Sequence, residues 1–132
     1  YLIPGDADGY WQLAEDIAQG REYSVYTPPR RVLRTPGFPA ILAASMTLFG
    51  DRHLPARLVL AAIGTAGCAG IYWLGTTLFS PEAGLAGALI AAVLPTFVGF
   101  TPLILSETAF AAALVASLVP AARLLQTLRS TE

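Results

Sequence analysis

The chain has 132 residues, of which 55% are hydrophobic and 13% charged, and its mean hydropathy is +0.58. Soluble domains carry about 25% charged residues, and disordered chains are poor in hydrophobic ones, so this composition argues against both and favours a membrane protein. A net charge of −1 without any lysine leaves no basic stripe for nucleic acid. One cysteine and one histidine exclude a disulfide framework and most histidine metal sites.

The charged residues divide the chain into two parts. Twelve of the seventeen lie within residues 1–57, and the other 75 residues hold five. This distribution predicts an outer polar segment with interfacial helices over residues 1–56 and a transmembrane bundle over residues 57–132. Because the chain begins without methionine, we expect it to be an internal fragment of a longer membrane protein, and inactive alone.

The first predicted helix covers about residues 8–19. Its apolar residues recur with helical spacing on one face: Tyr10, Leu13, Ala14, Ile17 and Ala18. Gly20 is expected to end it. Since the helix is too short to span a bilayer and polar on its other face, we expect it at the membrane surface. Asp8 stands where an N-cap is needed, which leaves Asp6 free for another role.

A segment without regular periodicity follows over residues 21–36. It contains three arginines, Arg30, Arg31 and Arg34. Two interpretations stay open from the residues alone. The segment is either a solvated basic loop near lipid headgroups or a phosphate clamp, because guanidinium groups match phosphate oxygens in shape and charge.

The remaining apolar segments predict one short helix and three membrane spans. Residues 37–49 are too few to span, so they predict an interfacial or re-entrant helix. Uncharged runs of 24 residues separate Arg57 from Glu82 and Glu82 from Glu107. Each reaches about 36 Å as a helix, enough for a hydrocarbon core of about 30 Å. The predicted spans are about 57–79, 83–103 and 107–128, with kinks expected at Pro95 and Pro120.

The orientation of these spans is ambiguous from charge alone. A hairpin of the first two spans places Glu107 on the side of the polar segment, with Arg123 and Arg129 on the opposite side. The positive-inside rule makes the Arg123 end cytoplasmic. However, residues 1–57 carry six arginines against two at that end, which favours the reverse orientation.

Seven short motifs, in order, give the chain a resemblance to a known family. They are Asp-Ala-Asp-Gly-Tyr (6–10), Leu-Ala (13–14) with Gly20 and Tyr23, Arg-Thr-Pro-Gly-Phe-Pro (34–39), Leu-Phe-Gly (48–50), Ala-Arg-Leu (56–58), Tyr-Trp-Leu-Gly (72–75) with Leu-Phe (78–79), and Leu-Ser-Glu (105–107). This pattern resembles the protein mannosyltransferase-like, multi-spanning glycosyltransferases of the GT-C fold. The group includes aminoarabinose transferases acting on lipid A and mannosyltransferases that use dolichyl-phosphate mannose.

The resemblance implies an all-α, multi-pass membrane protein that moves a sugar from a polyprenyl-phosphate donor to an acceptor hydroxyl. The absence of lysine and the abundance of alanine and arginine are typical of a GC-rich bacterial genome, so we expect a bacterial inner membrane. The acceptor is a lipid, a glycan or a protein, and the reaction takes place on the outer face. That orientation assigns the outer arginines to ligand binding. Membrane lipids are the other expected partners, and nucleic acid is not expected.

The resemblance also implies roles for individual residues. Asp6 corresponds to the candidate catalytic base of the first outer loop, and Glu107 to the acidic position of the second. Arg34 corresponds to the basic residue that contacts the donor phosphate, with Arg31 and Arg30 beside it. Asp8 is a secondary acidic candidate. Two positions depart from the pattern of the group. Ala7 stands where many relatives have a glutamate, and the acidic-Lys-Pro stretch of aminoarabinose transferases is missing. The resemblance therefore leaves open whether the site binds a divalent metal ion.

These residue types suit the implied chemistry. A carboxylate within hydrogen-bond reach can deprotonate an acceptor hydroxyl, and arginines at a low-dielectric interface can stabilise a departing phosphate. For Glu107 the alternative is a role at the helix N-terminus together with Ser106. The alternative function is a non-enzymatic polytopic protein, a transporter or assembly subunit, for which only Pro95 suggests the expected broken helix.

Overall fold

The computed structural model describes residues 5–25, 28 and 34–129 of the chain. Within these residues there are six helices and no strand, which confirms the all-α prediction. The helices are α1 (Asp6–Ala18), α2 (Gly37–Phe49), α3 (His53–Leu78), α4 (Pro81–Val93), α5 (Pro95–Phe100) and α6 (Glu107–Arg129). They belong to two compact units, residues 5–60 with 102–106 and residues 61–101 with 107–129.

Helix α1 begins two residues earlier than predicted, and this corrects the assignment of Asp8. Gly5, not Asp8, occupies the N-cap position, and no side chain caps the helix. The amide of Gly9 donates to the carbonyl of Gly5 at 3.1 Å, which closes the first turn around Asp6 and Asp8. Both carboxylates therefore stand in the first turn, where the helix dipole favours negative charge.

Gly20 ends α1 as the sequence predicts. Its φ of +65° is a left-handed conformation, in which glycine meets no Cβ penalty. The amide of Gly20 donates to the carbonyl of Ile17 at 3.2 Å, and that of Arg21 donates to the carbonyl of Asp16 at 2.8 Å. This pair of bonds is a Schellman motif, which satisfies the last carbonyls of the helix.

The first unit is built on the packing of α1 against α2, and the buried face of α1 differs from the predicted one. Trp11 is buried, although the predicted stripe omitted it, while Ile17 is 37% exposed. Asp16, which is not part of the predicted apolar face, is also buried. Its burial is compensated because the Nε–H of Arg21 donates to the Asp16 carboxylate at 2.8 Å. The placement of α1 at a membrane surface stays a prediction.

Two helices in the described part of the chain are long and apolar enough to cross a membrane. They are α3, with 26 residues, and α6, with 23. The region predicted as a span at 83–103 instead contains α4 and α5, with an extended residue, Leu94, between them. Pro95 explains the break, since a residue before proline avoids helical geometry. The division into three spans and an outer segment stays a prediction.

Small residues bring helices of the second unit close together, as their positions in the predicted spans indicate. Three glycines at helical spacing on α3, Gly64, Gly67 and Gly70, lie against side chains of α6. The approach of α3 to α4 is closer. A Cβ on Gly84 would lie 2.5 Å from the carbonyl oxygen of Tyr72 and 2.8 Å from the amide nitrogen of Thr76. Such an approach is typical of membrane helices that pack without intervening side chains.

The Gly84 contact yields a stability prediction. We expect Gly84→Ala to lower the thermal unfolding midpoint of the purified protein in detergent, because overpacking costs about 1–3 kcal/mol. Gly99→Ala is the matched control: this residue also lies in a helix, but a Cβ there meets open space. Both substitutions improve helix propensity. Equal midpoints for the two variants would contradict the close approach of α3 and α4.

Candidate functional site

The ion pair between Asp6 and Arg34 is the centre of the candidate site. Arg34 Nη2 lies 2.6 Å from the Asp6 carboxylate, and Arg34 Nη1 donates to the Asp6 carbonyl at 2.8 Å. The two side chains differ sharply in exposure, because the Asp6 side chain is 76% exposed and that of Arg34 only 10%. The arginine thus forms the inner layer of the site, and the carboxylate faces outward.

Tyr10 lies beneath the guanidinium. The Cζ atom of Arg34 lies 4.2 Å from the centre of the Tyr10 ring, a cation–π distance. The Tyr10 ring packs against the Phe38 ring in a T-shaped arrangement, with 4.9 Å between centroids and 82° between planes. Phe38 belongs to the first turn of α2 and is buried. Arg34 therefore packs on a ring of α1 that is itself supported by a ring at the start of α2.

Tyr23 fixes the backbone at the same position. Its hydroxyl donates to the carbonyl of Arg34 at 3.0 Å. Burial raises the pKa of Tyr23 above its ordinary value of 10.0, and the neighbouring Tyr10 adds to the rise, while the charge of Arg34 opposes it. Tyr23 is thus held in its protonated form, in which its hydroxyl can donate this hydrogen bond.

This pKa shift predicts a pH dependence. Since the folded state holds the Tyr23 proton more tightly than the unfolded state, the stabilisation is present below pH 10 and is lost as pH rises above it. We expect the free energy of unfolding to fall above about pH 10 more steeply in the wild type than in Tyr23→Phe. Denaturation in detergent from pH 8 to 11 measures this. If the free energy of unfolding fell equally with pH in the two proteins, the raised pKa of Tyr23 would be contradicted.

The segment 102–106 also belongs to the first unit, and it contacts Tyr10. The hydroxyls of Tyr10 and Ser106 share a hydrogen bond, with 3.2 Å between the oxygens. Ile104 is fully buried and has a φ of 55°, which is rare for a β-branched residue. The Asp6–Arg34 cluster is accordingly defined as six residues of the first unit: Asp6, Tyr10, Tyr23, Arg34, Phe38 and Ser106.

The structure brings together only some of the predicted site residues. Asp6 and Arg34 meet directly, as described. Asp8 is exposed in the first turn of α1 and, within the described chain, has no ion pair. Glu107 is exposed at the start of α6 and belongs to the second unit. Arg30 and Arg31 lie outside the described residues.

The sequence analysis assigned no role to the two tyrosines of the cluster. Tyr10 entered as part of the apolar face of the first predicted helix, and both tyrosines entered as landmarks of the family resemblance. The missed signal for Tyr10 is its spacing, because Asp6 and Tyr10 are four residues apart and share a helix face once α1 begins at Asp6. No comparable signal exists for Tyr23, whose contact with Arg34 spans eleven residues.

Two other features of the described chain bear on ligands. Among these residues no group of three His, Cys, Asp or Glu side chains could hold a metal ion. A shallow groove lies at the far end of α1 from Asp6 and includes Glu15, Met46 and Asp51 in its lining. It contains none of the six residues of the Asp6–Arg34 cluster.

Comparison with known proteins gives a family match. Residues 33–131 match the family model described as dolichyl-phosphate-mannose-protein mannosyltransferase, which covers three quarters of the chain. No curated protein and no solved structure matches the chain. The matched stretch begins one residue before Arg34 and includes Phe38, Ser106 and Glu107, whereas Asp6 precedes it.

Proposed function

The chain belongs to the dolichyl-phosphate-mannose-protein mannosyltransferase family, and on this basis we propose that it transfers a sugar from a polyprenyl-phosphate donor to an acceptor hydroxyl. Family membership makes it part of an integral-membrane glycosyltransferase of the GT-C type. The finer proposal adds a lipid-linked donor and a lipid, glycan or protein acceptor. It also places the protein, as a multi-pass enzyme, in a bacterial inner membrane with its site on the outer face.

Asp6 is the proposed catalytic base. The reaction needs a group that takes the proton of the acceptor hydroxyl as the oxygen attacks the anomeric carbon and the sugar–phosphate bond breaks. A carboxylate within hydrogen-bond reach performs this step. The support is the exposure of Asp6: its carboxylate faces outward, where an acceptor can approach, while Arg34 holds it from the inner side.

Arg34 is the proposed partner of the donor phosphate. A guanidinium carries five N–H donors in a planar fork, so one arginine can hold a carboxylate on one edge and a phosphate on another. Because Arg34 is nearly enclosed, its charge acts in surroundings that screen it less than water does, which strengthens stabilisation of the leaving phosphate. Arg30, Arg31 and Glu107 are further proposed members of the site, Glu107 as a second acidic group.

The Asp6–Arg34 pair is the single observation that carries this proposal. It places one acidic and one basic side chain, 28 residues apart in sequence, at 2.6 Å from each other. Both residues belong to short motifs that resemble this enzyme group, and the family match includes the second of them. In a non-enzymatic membrane protein the same pair would be a structural ion pair only.

The proposal is tested with membranes that contain the full-length protein and with matched membranes that lack it. Each is supplied with a panel of radiolabelled polyprenyl-phosphate sugars, and label is followed into lipid, glycan and protein fractions. We expect one donor to give label transfer that depends on the protein, and the labelled fraction identifies the acceptor class. Equal labelling in the two membranes for every donor would overturn the proposal and favour a transporter or an assembly subunit.

A further inference from the structure

We propose that Tyr10 is a positioning residue for sugar transfer, one that fixes the Arg34 guanidinium against Asp6. This inference rests on the proposed function, since it concerns the same pair, but it assigns a role to a different residue. Tyr10 is not placed in contact with substrate. It acts through Arg34 by its ring and through the segment 102–106 by its hydroxyl.

The ring contact determines where the guanidinium can lie. Asp6 and Tyr10 are one turn apart on α1, so the carboxylate and the ring face lie side by side on the same helix. The guanidinium fits between them, 2.6 Å from the carboxylate oxygen and 4.2 Å from the ring centre. Without the ring, Arg34 would retain its bonds to Asp6 but lose the surface that defines its plane.

The ring is itself held in place at two further points. It packs in a T-shaped arrangement against the buried Phe38 ring, and its hydroxyl is hydrogen-bonded to that of Ser106 at 3.2 Å. Rotation of the Tyr10 side chain would break both contacts. Because a planar, two-torsion side chain loses little conformational entropy when fixed, tyrosine suits this task better than a long flexible residue.

The backbone of the segment that contains Ser106 is strained. Ile104, two residues before Ser106, is fully buried with a φ of 55°. A β-branched residue in this conformation costs free energy and persists only where its surroundings impose it. The Tyr10–Ser106 bond ties this segment to α1, and so connects Tyr10 to the residue directly before Glu107 in sequence.

The test is a double-mutant cycle on transfer kinetics in the full-length protein. Tyr10→Leu is expected to lower kcat/KM about tenfold, the scale of a desolvated cation–π contact. In an Arg34→Gln background, the same substitution should cost less than about twofold, because the partner cation is already absent. Tyr10→Phe keeps the ring and should cost much less than Tyr10→Leu.

Three comparisons distinguish positioning from folding. Tyr72→Leu removes a tyrosine ring from the second unit and should leave kcat/KM unchanged. Thermal unfolding in detergent identifies variants that do not fold. If Tyr10→Leu does not fold, it is replaced by Tyr10→Met, whose side chain fills similar volume without a ring. Ser106→Ala should match Tyr10→Phe in size, since each removes the same hydrogen bond.

The outcomes separate the two proposals. Tenfold loss in the wild-type background and little in Arg34→Gln supports the inference. Equal losses in both backgrounds, or no loss in a folded Tyr10→Leu protein, would overturn it while leaving the proposed function intact. If the wild-type protein transfers no label from any donor, the proposed function fails and the inference fails with it.

Discussion

Replacing Asp6 by asparagine is expected to lower the rate of sugar transfer at least about a hundredfold, because general-base catalysis contributes about 10²–10⁴-fold. Asparagine keeps an oxygen that can accept the Arg34 hydrogen bond, and the carbonyl that receives Nη1 is unchanged. Donor KM should therefore change little. Because the Asp6 side chain is largely exposed, the variant should fold and insert as the wild type does.

Asp8→Asn is the matched comparison, since Asp8 is an exposed aspartate in the same helical turn. The measurement is initial transfer rate against donor concentration for both variants and the wild type, with membrane insertion checked in parallel. The assignment of Asp6 as base would be contradicted by substantial turnover in Asp6→Asn. If Asp8→Asn alone lost activity, the base would move to Asp8.

The second large effect is expected for Arg34→Gln. Hydrogen bonds to charged groups contribute about 1.5–3 kcal/mol, so losing them at the donor phosphate predicts a roughly 10- to 100-fold fall in kcat/KM, with a raised donor KM. Arg34→Lys keeps the positive charge but loses the planar fork, and it should recover only part of the loss.

Arg21→Gln is the control for this arginine. Arg21 also forms an ion pair within the first unit, with Asp16 at 2.8 Å, but it lies at the opposite end of α1 from Asp6. Its replacement should lower stability and leave donor KM unchanged. If Arg21→Gln and Arg34→Gln raised donor KM equally, the effect of Arg34 would be one of folding and the phosphate assignment would fail.

The helices were largely predictable from local sequence because their signals are local. Gly20 and Gly50 end α1 and α2 through positive φ angles, and the 37–49 helix was predicted with the bounds it has. The N-terminus of α1 was missed because Asp8 is a better cap by residue type than Gly5. Propensity ranks residues, but it does not choose among neighbouring positions.

The assembly of the candidate site was harder to predict because its contacts are long-range. The resemblance named Asp6 and Arg34 separately, yet nothing local indicates that they pair across 28 residues. The tyrosine contacts depend on the angle at which α1 meets α2, which periodicity does not encode. Trp11 was omitted and Ile17 included in the buried face for the same reason, since the partner helix decides which side is covered.

The central claim is that Asp6 performs chemistry while Arg34 binds the donor phosphate. Equilibrium binding of a polyprenyl phosphate, measured beside transfer in the same preparations of wild type, Asp6→Asn and Arg34→Gln, tests it most directly. We predict that Asp6→Asn binds this lipid as the wild type does but transfers sugar at least about a hundredfold more slowly, whereas Arg34→Gln binds the lipid more weakly and transfers sugar about 10- to 100-fold less efficiently. Equal loss of binding in the two variants would contradict the division of roles and reduce the pair to a structural ion pair.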